Sequence, residues 1–334
     1  MYVSFDDGDT WQIFMANLPH TPMYWIEVQE HFNDLVVGTY GRGAWILDDL
    51  SPIQQMPANP SATKAALFTP KNAYRFNQRT ATTQFMPEPS TGTDPPEGAS
   101  INYWTTSDKD SVKIHIIAAS GDTVKTFKQK GKPGINRIWW DFHGKPTKDI
   151  TMRTYPIGGE WMDMGKTRTR PAVISNPFKT YRVAPGTYTV SMVTGDQKFN
   201  STITVLKDPH SDGTLNDIQA QNALLAKIHA DVNTMADMVN EAELIRRQLH
   251  DMRDMLATQK GTKAISQAAG KLDSTIMVTE GKLVQFKYTG SGQDGVRYPD
   301  MLTGKMGYLA NAVAVADFAP ADQHLQVYEQ LKAK

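Results

Sequence analysis

The sequence predicts a multidomain β-plus-α protein, because its hydrophobic period changes twice along the chain. Short apolar runs broken by Asp and Gly turns fill residues 1–52, alternation runs through 99–207, and a three-and-four step runs through 210–334. The 334 residues give room for two or three domains with cores of their own.

The first region reads as strands over 2–4, 11–14, 25–29, 34–39 and 44–47, punctuated by Gly38, Gly41 and Gly43. These make about one and a half antiparallel units, which alone leave unpaired edges and a half-covered core. Further strands are therefore expected upstream of Met1. Residues 53–98 read as a linker around a short extended piece at 66–76. A second loop there holds Pro87, Pro89, Pro95 and Pro96.

In the second region Val112, Ile114 and Ile116 alternate with Lys113 and His115, and Ser120-Gly121-Asp122 supplies a hairpin turn. Ile138, Trp140 and Phe142 alternate likewise, as do Tyr188, Val190 and Met192 after the Pro185-Gly186 turn. Strands at this spacing predict a β-sandwich. Residues 144–179 interrupt it and are longer than an ordinary loop, which marks an insertion.

After Pro209 the apolar residues Leu225, Ile228, Val232, Met235 and Val239 step by three and four, continuing through Leu256. They predict a helix of about 40 residues, roughly 60 Å long. Met235, Met252 and Met255 read as part of its core stripe. Gly261 ends it, a second helix carries Ile265 to Phe286, and two more follow Pro299 and Pro320. Short connections between them predict an antiparallel helical bundle.

The most specific motif is Ser4-Phe5-Asp6-Asp7-Gly8-Asp9-Thr10-Trp11, which fits S-x-D-x-G-x-T-W at every fixed position. Its logic is a self-sealed hairpin: the Asp6 carboxylate accepts backbone N–H groups, Gly8 permits positive φ, and Trp11 plugs the turn. This resembles the Asp box, or BNR repeat, of sialidases, sortilin and related β-propellers. The resemblance implies a structural role for Ser4, Asp6, Gly8, Thr10 and Trp11. Residues 34–49 (DLVVGTYGRGAWILDD) are similar to the closing blade of bacterial propeller proteins of the sortilin-like or "glycosyl hydrolase" type. Residues 99–206, with GINRIWWD at 134–141 and the Pro185-Gly186-Thr187-Tyr188 turn, are similar to the FlgD-like immunoglobulin domain of those proteins. The helical tail, with Gln293-Asp294-Gly295 before Tyr298-Pro299, also fits.

The resemblance therefore implies partial β-propeller blades, an immunoglobulin-like β-sandwich and an antiparallel helical bundle. It implies a bacterial, extracytoplasmic location (periplasmic, cell-surface or secreted) and upstream propeller blades as the first partner. Three functions are compatible with it. One is a non-catalytic accessory and interaction region. The second is a sialidase-like glycoside hydrolase whose active site lies mainly upstream of this chain. The third is a sortilin-like propeller that binds a protein or peptide.

Arg42 stands in a Gly-Arg-Gly turn. In the propellers that this region resembles, the position can face the central channel, where arginines pair bidentately with a substrate carboxylate. Clamping a neighbouring blade is the alternative. Tyr155 and Trp161, with Met162 and Met164, are large apolar residues among glycines in the insertion. They predict either a binding patch for a glycan or protein ligand, or packing of the insertion against the propeller.

Other chemistries are disfavoured. Lys plus Arg (35) equals Asp plus Glu (35), so no long-range field favours nucleic acid or an anionic membrane. No apolar run reaches the roughly 18 residues of a membrane span. Cysteine is absent, which excludes disulfides, thiolate catalysis and Cys-ligated zinc. The eight His residues lack ligand spacing, and no nucleophile elbow, P-loop or dinucleotide fingerprint occurs, so no metal or cofactor is predicted. Catalytic residues are not identifiable: Asp48-Asp49, Asp163, Asp251 and Asp254 include no pair with glycosidase placement.

Overall fold

The computed structural model describes residues 1–57, 59–60, 62–76, 96–109, 111–164, 169, 178–289 and 292–334. Most of the Pro-rich loop expected at 77–98, and Gly165 in the insertion, lie outside the described residues. Sheets and helices are both present, and contacts divide the chain into two compact units: 1–142 with 185–208, and 143–184 with 209–334.

The first unit contains the strands. β1 (Tyr2–Val3) and β2 (Gln12–Ile13) form a hairpin. β3 (Met23–Gln29), β4 (Asp34–Thr39) and β5 (Ala44–Leu47) form an antiparallel meander, followed by the one-turn helix α1 (Ser51–Gln54). Then come β6 (Ala65–Leu67), β7 (Ala73–Arg75), β8 (Ala99–Thr105), β9 (Ser111–Ile117), β10 (Thr123–Lys130) and β11 (Gly134–Trp140). β12 (Gly186–Thr194) and β13 (Gln197–Lys207) complete the unit. One sheet has the order β10-β9-β12-β13-β7 and the other β11-β8-β6.

Alternation decides which side chains these two sheets bury. Val112, Ile114 and Ile116 point inward from β9, Val190 and Met192 from β12, and Ile138 and Trp140 from β11. Trp140 of the three-stranded sheet meets Tyr188 of the five-stranded one edge-to-face, with centroids 5.2 Å apart. The short extended piece expected at 66–76 contributes to both sheets. β6 pairs antiparallel with β8, and β7 pairs parallel with β13. These strands have three residues each, too few to show a period.

The second unit is helical: α2 (Leu215–Leu256), α3 (Lys263–Leu283), the single turn α4 (Asp294–Arg297), α5 (Leu302–Val313) and α6 (Asp322–Lys332). Thr214 caps α2 in a reciprocal box with Asp217, its Oγ1 accepting the Asp217 N–H at 3.1 Å. α2 packs against α3 and α5, and α5 against α6. Leu225, Ile228, Val232 and Met235 share a core with Met306, Leu309 and Val313. Met255, counted with the core stripe from its spacing, is exposed. α3 stops at Leu283, so Phe286 is not helical, yet it is buried beside Val239 and Ala236 of α2.

The insertion belongs with the helices. Ile150 and Met152 enter the Val239–Phe286 cluster. Among the described residues, no helix is long and apolar enough to cross a membrane.

Candidate functional site

The S-x-D-x-G-x-T-W segment closes on itself. Asp7 and Gly8 take positive φ of 54° and 99°, which turns the chain between β1 and β2. Asp6 Oδ1 accepts the Thr10 N–H at 2.8 Å, and its Oδ2 accepts the Thr10 hydroxyl at 2.5 Å. Ser4 Oγ donates to Asp6 at 2.8 Å and accepts the Gly8 N–H at 2.8 Å. Thr10 first, then Ser4, hold the Asp6 carboxyl below its ordinary range. The Trp11 indole N–H donates to the Gly8 carbonyl at 3.0 Å, but its ring stays 63% exposed rather than plugging an apolar underside.

Register separates the two faces of the β3–β5 meander. Ile26, Val37 and Trp45 are opposed and share one face with Val28, Leu35 and Leu47. Only the middle of that face is covered, by Leu50 with Met1, Phe14 and Ile53. The other face carries Trp25, Glu27, Val36 and Ile46, with Trp25 68% and Ile46 63% exposed. Both faces therefore present large apolar side chains to solvent.

Arg42 lies exposed in the turn between β4 and β5, where Gly41 and Gly43 take positive φ. Its carbonyl accepts the Trp45 indole N–H at 3.1 Å, and its guanidinium forms no ion pair among the described residues. Asp49, just past β5, is the anchor of this region. It is buried at φ 63°, pairs with Lys71 Nζ at 3.4 Å and accepts from Ser100 Oγ and Asn102 Nδ2 at 3.4 Å each. Arg137 reinforces it, donating to Asn102 Oδ1 at 2.8 Å and to the Asp48 carbonyl at 3.2 Å.

In the insertion Tyr155 is half-buried and Trp161 is 79% exposed, on a turn held by the Gly159 N–H donating to the Pro156 carbonyl. No ring contact joins Tyr155 to Trp161 among the described residues. Arg42 falls in the other unit. Among the described residues, no group of three or more His, Asp or Glu side chains is placed to hold a metal ion.

What the sequence reading missed is a polar ladder on α2. His229, Asn233, Asp237, Asn240 and Glu243 are spaced by three and four along one face of the helix. His229 Nε2 meets the Lys145 carbonyl at 3.0 Å, and Asn233 Oδ1 accepts the Lys148 N–H at 2.8 Å. Asn240 accepts the Thr151 N–H at 2.7 Å and donates to the Asp149 carbonyl at 2.9 Å. Glu243 accepts the Thr154 N–H at 2.7 Å, the Thr154 hydroxyl at 2.6 Å and the Arg153 N–H. Residues 145–154, a strap without regular secondary structure, thus satisfy their backbone on side chains of a helix. The three-and-four spacing of these polar residues was the available signal.

The ladder ends in a buried charge cluster. Arg246 NH1 meets Glu243 Oε1 at 3.1 Å and Glu280 Oε2 at 3.2 Å, and its Nε meets Asp273 Oδ1 at 2.9 Å. His250 Nε2 lies 3.2 Å from the other Asp273 oxygen, and the Phe286 ring stacks beneath the guanidinium at 5.0 Å. Burial, then the Glu243 charge, pushes the Glu280 carboxyl up to about 8 against the opposing pull of Arg246.

Compared with known proteins, the chain matches no protein-family model and no curated protein.

Proposed function

We propose that the chain is a non-catalytic accessory and interaction region of an exported, extracytoplasmic Asp-box β-propeller protein. In this reading residues 1–49 belong to propeller blades, the two larger sheets form an immunoglobulin-like sandwich, and the helices form a bundle that carries the strap. The observation that carries it is the β3–β5 meander, whose opposite faces expose Trp25 and Ile46 on one side and Ile26 and Val28 on the other. A sheet that is apolar on both faces suits burial between two neighbours, as a propeller blade is buried. The self-sealed Ser4–Trp11 hairpin supports the same reading, because its carboxylate is occupied in holding its own turn. Neighbouring blades are the occupants proposed for the two faces.

Fluorescence of a hydrophobic dye, together with turnover of chromogenic glycosides, tests the proposal on the full chain. The reading expects strong dye binding that Trp25→Arg combined with Ile46→Asp weakens without loss of folding, and no glycoside hydrolysis. Hydrolysis by this chain would overturn it, as would dye binding that the double substitution leaves unchanged.

A further inference from the structure

We infer that the buried Glu280 carboxyl keeps its proton, and that this proton latches Arg153 and Thr154 of the strap onto α2 through the neighbouring Glu243. Glu243 is 0% and Glu280 2% exposed, and both converge on a single guanidinium nitrogen of Arg246. Arg246 also serves Asp273, so three carboxyl groups face one permanent cation. His250 faces the same cluster through Asp273. Phe286 covers the guanidinium, and the strap contributes the Arg153 and Thr154 N–H groups with the Thr154 hydroxyl.

The two glutamates are not equivalent. Glu243 is fully engaged as an acceptor, with strap donors on both oxygens and Arg246 on one. Glu280 has one oxygen on Arg246, while its Oε1 is sealed from solvent without a hydrogen-bond partner. A full negative charge on that orphaned carboxyl is costly in a dry site, and a neutral carboxyl costs far less. The proton therefore resides on Glu280, which leaves Arg246 free to pair with Glu243. Ionising Glu280 sets two carboxylates against one guanidinium nitrogen. The element that gives way is the strap, whose only hold at Arg153 and Thr154 among the described residues is Glu243. Raised pH thus loosens the strap at Arg153 and Thr154.

Trypsin reads the latch directly, because it cleaves after Arg153, between the two amides that Glu243 anchors. Cleavage after Lys260, exposed in the α2–α3 turn, serves as the internal control on the same full-length chain. Between pH 7 and 9.5 the Arg153-to-Lys260 cleavage ratio should rise about tenfold in the wild type, since proteolysis tracks the open fraction. In Glu280→Gln it should stay flat. An equal rise in both proteins, or no rise in the wild type, overturns the proposal. If Glu280→Gln does not fold, the wild-type glutamate carboxyl carbons decide by NMR. One, Glu280, should titrate at about 8. The absence of any glutamate titrating above neutrality overturns the proposal equally.

Discussion

Asn240 of α2 and Thr151 of the strap meet much as residues on two paired strands would. The Asn240 carboxamide oxygen accepts the Thr151 N–H at 2.7 Å while its amide donates to the Asp149 carbonyl at 2.9 Å. One helical side chain thereby satisfies both a donor and an acceptor of a segment that forms no ladder of its own. Alternate strap residues Ile150 and Met152 turn the other way, into the core beside Val239 and Phe286. Polar ladder and apolar anchor hold the strap together.

Asn240→Ala should therefore cost about 1–3 kcal/mol, because two backbone groups lose their partner at once. Urea unfolding followed by far-UV circular dichroism measures it. Asn240→Asp keeps the acceptor and loses the donor, so it should fall between wild type and alanine.

Asp49→Ala should destabilise the first unit by about 1–3 kcal/mol, through the loss of a buried acceptor for Lys71, Ser100 and Asn102. Asp49→Asn should cost less, since asparagine tolerates the positive φ of 63° found there. A reversed order between these two variants in denaturant unfolding would contradict this assignment.

Acid should open the Ser4–Trp11 hairpin locally. The Asp6 carboxyl is held below 3.8 by Thr10 and Ser4, so the contribution of its bonds is full above that value. The contribution is lost as pH falls through the lowered folded value. The 13C shift of the Asp6 carboxyl and the Thr10 amide signal should move together, and in Asp6→Asn the Thr10 signal should no longer titrate.

Elements with a local period were legible in the sequence. Leu225, Ile228, Val232, Met235 and Val239 step along α2 and are all buried, and so are Ile114, Ile116 and Trp140 in their alternating strands. The Ser4–Trp11 turn was legible because its partners lie within eight residues of one another. The strap was not legible, since Thr151 and Asn240 stand 89 residues apart and the ladder has the composition of an ordinary solvated helix face. β6 and β7 read only as one short extended piece at 66–76, because three-residue strands carry no period and β7 finds its partner, β13, far along the chain. Tyr155 and Trp161 were singled out for size, while the strap residues that dock are the smaller Ile150, Met152 and Thr154.

A clash test concerns Gly213. A Cβ there would overlap the Asp317 carbonyl, a backbone group that cannot rotate aside. Gly213→Ala should lower the midpoint of thermal unfolding by several degrees, since even about 1 kcal/mol moves a domain of this size by about 2–4 °C. Gly292→Ala, with open space around its Cβ, should leave the midpoint unchanged.

The central claim is that the two-faced meander is a propeller blade, and the coding DNA on the 5′ side of the Met1 codon tests it most directly. The account predicts an open frame that continues into further S-x-D-x-G-x-T-W hairpins and begins with an export signal. An in-frame stop followed by a ribosome-binding site immediately before Met1, with no Asp-box polypeptide encoded alongside, would contradict it.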